Sequence, residues 1–312
     1  MTDDEMPEGE EVRLFAVPIN DGFAREAAET LRGYRELAEK AIKEGEPSNP
    51  ASPFAAEVNW LEAAPNPVGS ARISFHRMLL DIAGMSWDTA LDHVRALEHD
   101  IVRKPPPVWS PLVMARAVLE SCLFFEYLFE PSISGALRLA RCAGLWRKDA
   151  GHFANFASVL DSEREEAAVE LEAYVTTTLD ECNVVARHSA SGRITGYMVD
   201  GEVADLDYNI TMRARNSLPS WLPMPYGLLS GAAHGRPWLT HRGLDLGKET
   251  GGVAGEAATV MAALMVVMAS LEMGLKAWQD YFGLDLADDL VELEQYRKLM
   301  SLRLMGFAHA TE

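Results

Sequence analysis

A chain of 312 residues, 48% hydrophobic and 24% charged, is long enough to bury one large core and is not disordered as a whole. Its formal net charge of −19 argues against a general electrostatic hold on DNA, RNA or an anionic membrane, and leaves room only for a local basic site. Cys122, Cys142 and Cys182 are widely spaced and form no CxxC pair, so neither a zinc site nor a disulfide framework is expected, and reduced thiols in a cytoplasm fit best.

Residues 1–20, acidic over Met1–Glu11, read as a disordered tail, since a signal peptide would need a basic start and an apolar run. Residues 21–312 read as a single helical domain. Asp21–Glu44 has amphipathic spacing, with Phe23, Ala27, Leu31, Tyr34 and Leu37 near one face. Gly45–Ser70 is rich in Pro, Asn and Ser and reads as a long loop, with room for a short helix around Phe54–Ala63. One helix is expected over Ser70–Met85. A second, capped by Ser86, should run to about Lys104, where Pro105, Pro106 and Pro107 stop it. Ser110-Pro111 signals the next start, and Pro111–Glu130 is apolar almost all round, the pattern of a helix buried in a bundle. After Pro131 come a helix over Ser134–Arg147 and a long acidic one over Asp149–Cys182. The Glu163, Glu165, Glu166, Glu170 and Glu172 face of the latter reads as solvated surface. Asn183–Pro225 breaks the pattern. There, Asp200-Gly201 between Ile194–Val199 and Glu202–Leu206 predicts a β-hairpin, in an insertion spanning about 183–208. Helices over Tyr226–His234, Gly251–Phe282 and Ala287–Met305 complete the chain. The apolar run Ala257–Leu271 is shorter than a bilayer span and is followed by Glu272, so it reads as a central core helix. The fold class is all-α, a multi-helix bundle with a small irregular or β-hairpin insertion.

Charge is unevenly spread. Pro131–Lys148 contains no acid but carries Arg138, Arg141, Arg147 and Lys148. Tyr208–Leu244 again contains none and carries Arg213, Arg215, His234, Arg236, His241 and Arg242. If the two stretches meet in space they form an anion site, because guanidinium groups bind phosphate or carboxylate in a bidentate way. The competing reading pairs these arginines with the acidic helix. In Tyr226-Gly-Leu-Leu-Ser230-Gly-Ala-Ala-His234-Gly235 the residues Tyr226, Ser230 and His234 recur every four positions and share one helix face. A hydroxyl and an imidazole so placed can act as a polarised pair, with His234 as acid or base; the alternative is a small-residue helix packed tightly and ended by Gly235. Arg116 and Glu120, four apart on the apolar helix, are either mutually paired or turned to an internal polar site, and Glu126 and Glu130 pose the same problem. Trp221, Tyr226, Trp238 and Trp278 are aromatics able to line a pocket.

Ala115–Glu120, then Tyr127-Leu-Phe-Glu130-Pro131, then Arg138 and Arg141, with the Tyr226–Gly235 segment, resemble a group of all-helical actinobacterial proteins that share a Tyr-x3-Ser-x3-His-Gly segment. The likeness covers roughly residues 90–275 and implies a helical fold and a cytoplasmic location. A more distant similarity to HEPN-type ribonucleases, whose signature is Arg, four to six residues, then His, touches Arg147…His152, Arg236…His241 and Arg303…His309. The run Asp288-Asp289-Leu-Val-Glu292 resembles the Asp-rich motif of class I terpene synthases, although its place near the C-terminus is not that family's; acids at a helix start are also what the helix dipole favours.

The expectation drawn from these features is an internal Arg/His pocket for a small anionic, phosphate-bearing ligand or RNA. Arg116, Arg138, Arg141, Tyr226, Arg236 and His241 would bind, and His234, Ser230 and Glu120 would carry any chemistry. No DNA and no membrane partner is expected, a homodimer is compatible, and no cofactor is called for. Two other readings stay open: a terpene-synthase-like enzyme using Mg on a prenyl diphosphate, and a non-catalytic regulatory or interaction protein.

Overall fold

The computed structural model describes residues 19–44, 49–105, 107–160, 162–206, 208–219, 222, 225–234 and 257–309. Among them are ten helices and one three-stranded antiparallel sheet, an all-α bundle carrying a small β insertion. The helices are α1 (Asp21–Glu44), α2 (Pro53–Ala63), α3 (Val68–Ile101), α4 (Ser110–Leu128), α5 (Gly135–Ala157), α6 (Ser162–Glu181), α7 (Ile210–Ser217), α8 (Pro225–Ala233), α9 (Ala257–Phe282) and α10 (Ala287–His309). Strands β1 (Val185–His188), β2 (Ile194–Val199) and β3 (Glu202–Asp205) lie in that order in the sheet.

The apolar helices form the centre. α4 packs against α3 on one side and α9 on the other, with α7 and α8 also on its surface; α1 and α10 close the bundle over α9. An aromatic cluster of Phe54, Phe125, Phe129, Trp278, Tyr281 and Phe282 joins α2, α4 and α9, with Phe125 and Trp278 stacked at 5.2 Å. The helix around α9, Thr259–Phe282, is long and apolar enough to cross a membrane by length and composition. The apolar run judged too short from Ala257–Leu271 therefore continues helically to Phe282. Burial of Val260, Leu264, Val267, Leu271 and Leu275 against other helices accounts for its apolarity within the bundle.

Several boundaries differ from the sequence reading. The helices expected to meet at Ser86 are one 34-residue helix, α3. The Ser86 hydroxyl caps nothing; it donates to Ile82 O (3.2 Å), one turn back in the same helix, as serines inside helices do. The break expected between Arg147 and Asp149 is also absent, and α5 continues to Ala157. The chain turns instead at 158–160, where Val159 N donates to Phe156 O and Leu160 N to Ala157 O, and α6 restarts at Ser162. The predicted hairpin is present. Asp200 (φ 47) and Gly201 (φ 89) both take the left-handed conformation that a two-residue turn between twisted strands requires. A third strand, β1, extends it, and α7, capped by Asn209 Oδ1 accepting from Met212 N (3.0 Å), occupies part of the region read as irregular.

One buried polar cluster ties four helices. Glu57 on α2 is 2% exposed and Arg138 on α5 1%. Arg138 Nε donates to Glu57 Oε2 (2.8 Å), and the rest of its guanidinium donates to the main-chain oxygens of Leu128, Glu130 and Ile133. The Tyr281 hydroxyl of α9 donates to the same Oε2 (3.0 Å), so its oxygen accepts from His76 Nε2–H of α3 at 3.2 Å. Glu57 Oε1 has no hydrogen bond, with His76 Nε2 3.4 Å away. The approach of α5 to α2 is close: a Cβ at Gly135 would come within 2.9 Å of Glu57 Cγ and of the Trp60 ring. Burial holds the His76 pKa below its usual 6.5, opposed by Glu57, and the neighbouring Arg138 cation lowers it further.

Two predictions follow from this cluster. Removing one partner strands the other charge, so Arg138→Met lowers stability by about 3–5 kcal/mol, and the double change Glu57→Met with Arg138→Met recovers much of that loss. Urea unfolding of the three proteins measures it; a single variant as stable as the parent overturns the assignment. Because the folded state holds His76 neutral and the unfolded chain protonates it near pH 6.5, its contribution is complete above that pH and declines as pH falls toward the depressed folded value. Unfolding free energy followed from pH 8 to 5 should therefore fall less steeply below about pH 6.5 in His76→Gln than in the parent. Parallel profiles would refute this.

Candidate functional site

The residues expected to form one Arg/His pocket fall into separate groups. Arg138 is in the buried cluster with Glu57 and faces no ligand space. Arg141 Nη1 donates to Tyr127 O (2.7 Å) and to Glu130 Oε2 (2.8 Å). Arg213 of α7 donates to Glu126 Oε2 (2.6 Å) and Glu130 Oε2 (2.9 Å), and both guanidiniums lie over the Tyr127 ring. Glu126 on α4 and Glu130 just after it thus take up one arginine from each basic stretch, Arg141 and Arg213. Burial raises the Glu126 carboxyl, against the pull of Arg213; for Glu130 burial acts the same way and is the largest influence, but Arg141, Ser132 and Arg213 together outweigh it and hold the group below its ordinary range. Of the long acidic helix, only Glu172 receives one of these arginines, Arg147, among the described residues.

Arg116, Glu120, Tyr226 and His234 do come together, where α8 packs on α4. Arg116 Nε donates to Glu120 Oε1 (2.7 Å), and Arg116 Nη2 donates to the Tyr226 hydroxyl oxygen (3.2 Å), which in turn donates to Glu120 Oε1 (3.0 Å). Burial and then the Glu120 charge push the Tyr226 hydroxyl above its ordinary range, so it stays a donor. His234 Nε2 is 3.4 Å from Arg116 Nη1. A guanidinium only donates, so Nε2 is the accepting nitrogen and the ring proton sits on Nδ1. The Ser230 hydroxyl makes no hydrogen bond to His234; the two are joined only by the helix backbone, His234 N to Ser230 O at 3.1 Å. The fourfold spacing placed the right helix face on α4 without producing a Ser–His pair. Arg236, His241, Trp221 and Trp238 lie outside the described residues.

Glu120 also reaches an open groove between α3, α4 and α5, of about 510 Å³. Its walls are apolar, from Ile82 and Met85 of α3, Phe124 and Leu128 of α4, and Leu145 and Trp146 of α5. Ser121, Lys148, Asp149 and His152 stand with Glu120 as its polar groups, together with Ser86 and Thr89, whose hydroxyls are already given to Ile82 O and Met85 O of α3. Met85, at 60% exposure, is an apolar side chain left uncovered beside it. Sequence reasoning missed this groove, because its wall residues carry the same apolar periodicity as the core. The thiols do not offer chemistry here: burial raises Cys122 and Cys142 far above their ordinary range and pushes Cys182 up to about 11.

Other motifs are separated or placed at the surface. Arg147 and His152 line different concavities, His152 the groove and Arg147 a basic hollow beside the sheet. Asp288 and Asp289 occupy the first turn of α10, where the helix dipole favours acids, and no metal-ligand cluster occurs among the described residues. Comparison with known protein families, with characterised proteins and with solved structures finds no match to this chain, so the groove and the Arg116–Glu120–Tyr226–His234 group rest on their geometry alone.

Proposed function

We propose that this protein binds a small, mostly apolar molecule with a polar head, and that the α3–α4–α5 groove is its seat. The observation that carries this reading is a cavity in the size range of ligand sites, walled by six apolar side chains and edged by polar groups of which Glu120 is held in place by its neighbours. The walls supply affinity by removing apolar surface from water. The polar edge supplies orientation: the Arg116 and Tyr226 hydrogen bonds hold Glu120 in one place, so a donor on the ligand meets an acceptor that is already ordered.

A series of straight-chain alcohols tests the reading. Binding by calorimetry should tighten about fourfold for each added methylene until the groove is filled, the ~0.8 kcal/mol of one buried CH₂. Ser121→Trp, which fills the groove from α4, should abolish binding while leaving the unfolding midpoint near that of the parent. An affinity independent of chain length, or a Ser121→Trp protein that binds as well as the parent, would sink the proposal.

A further inference from the structure

Beside the groove, on the neighbouring arc of α5, the β1–β2 end of the sheet borders a second concavity of about 770 Å³, lined by Arg147, Lys148, Ser189, Ser191, Arg193 and Thr195 among others. Three cations converge there in a protein whose net charge is −19. Arg147 has a carboxylate partner in Glu172, while Lys148 and Arg193 have none within ion-pair distance among the described residues. Asp205 is the acid in its wall. Elsewhere in this molecule converging arginines are met by acids, as at Glu57, Glu126 and Glu130. Here two of the three cations, Lys148 and Arg193, have no ion-pair partner among the described residues.

The hollow is also built rather than loosely draped. Ser189 N donates to Arg193 O (2.8 Å) and Gly192 N to Ser189 O (2.9 Å), with Gly192 at φ 80, so the turn that carries Ser189, Ser191 and Arg193 is closed on itself. The far end of the sheet is pinned to α3 by Arg72, which donates from Nη1 and Nη2 to the two oxygens of Asp200 (2.8 and 2.7 Å). The Ser189 and Ser191 oxygens are 2.9 Å apart, and Ser189 Oγ accepts from Arg193 N (3.2 Å). Whichever serine donates to the other, one hydroxyl proton remains to be given outward. Two unpaired cations and a free hydroxyl donor on a closed turn match the acceptor oxygens of a phosphoryl group.

Lys148 lines this hollow and the apolar groove alike. The helical repeat of about 100° per residue explains why. Gly144 faces the sheet, close to Leu206 and Tyr197, and Lys148 lies about 40° round from it, between the sheet side and the groove side of Leu145, Asp149 and His152. We infer that the hollow holds the phosphoryl head of the ligand whose apolar body occupies the groove, with Lys148 at the junction, a reading that rests on the groove proposal for the body but not for the head.

Dodecyl phosphate, dodecanol and pyrophosphate separate the two. Dodecyl phosphate should bind the parent at least about tenfold more tightly than dodecanol at low salt, the scale of one charge-assisted hydrogen bond, and the advantage should shrink as salt rises. Arg193→Gln, which touches only the hollow, should remove that advantage and leave dodecanol binding unchanged; Lys148→Gln should do the same for the phosphate. Both side chains are exposed, so an unchanged unfolding midpoint is expected and checks the fold. If pyrophosphate binds and Arg193→Gln abolishes it while dodecanol does not bind at all, the head site stands and the groove reading falls. If dodecanol binds but the phosphate adds nothing, or Arg193→Gln leaves its advantage intact, the head site is overturned and the groove reading stands.

Discussion

The Glu57–Arg138 pair decides where α5 lies. A carboxylate and a guanidinium withdrawn from water are costly unless each finds its full set of partners. Here the carboxylate is shared by side chains from α5 and α9, with His76 of α3 alongside, while the guanidinium also satisfies three carbonyls at the C-terminal end of α4 and the turn after it. Such a set closes only for one placement of α2, α3, α4, α5 and α9. Glu57 leaves one oxygen without a hydrogen bond, and Gly135 lets α5 come close enough for the rest. Since α5 supplies Leu145, Trp146 and Asp149 to the groove and Arg147 and Lys148 to the basic hollow, both concavities inherit their geometry from this pair.

The same pair explains why a count of charge along the chain is a poor guide to free charge. Pro131–Lys148 and Tyr208–Leu244 contain no acid, yet Arg138, Arg141 and Arg213 are each met by a carboxylate from outside their own stretch, on α2, on α4 or in the turn after α4. Helix α4 is where this is arranged. Its face toward α7 and α8 carries Arg116, Glu120 and Tyr127, with Glu130 in the turn that follows, on an otherwise apolar helix. Those charges attracted attention as a problem of burial, and the structure resolves them as pairs. Lys148 and Arg193 have no such partner among the described residues, and they converge on one hollow.

Much of the fold was legible because its signals are local. Amphipathic spacing located α1 to the residue, the Ser110-Pro111 step opened α4, and Asp200-Gly201 marked the hairpin. The errors came where a local signal has two meanings. A serine is a cap only if its hydroxyl turns toward the next amides; Ser86 turns back to Ile82 instead, and α3 runs on. The Lys148-Asp149 change from basic to acidic looked like a boundary, but a helix carries both charges readily, and the chain breaks at 158–160, where nothing in composition marks it as strongly. The site was less legible still. The Arg116–Glu120 pair and the Tyr226–His234 face were readable from fourfold spacing, but that they meet one another is a fact of packing between α4 and α8, 106 or more residues apart in sequence.

The groove shows the limit in its plainest form. Leu145 and Trp146 on α5 have the same spacing as residues that are fully covered, and nothing in their own sequence tells a wall from a core. The difference lies in whether another element covers them. α6 packs against α5 and the sheet against its Gly144 side, which leaves the arc of Leu145, Asp149 and His152 facing α3 and α4 across open space. A helix wedged between an apolar groove and a basic hollow has to carry both kinds of residue on neighbouring arcs. Lys148 is the position where they adjoin, its apolar stem and its ammonium giving one side chain to both linings.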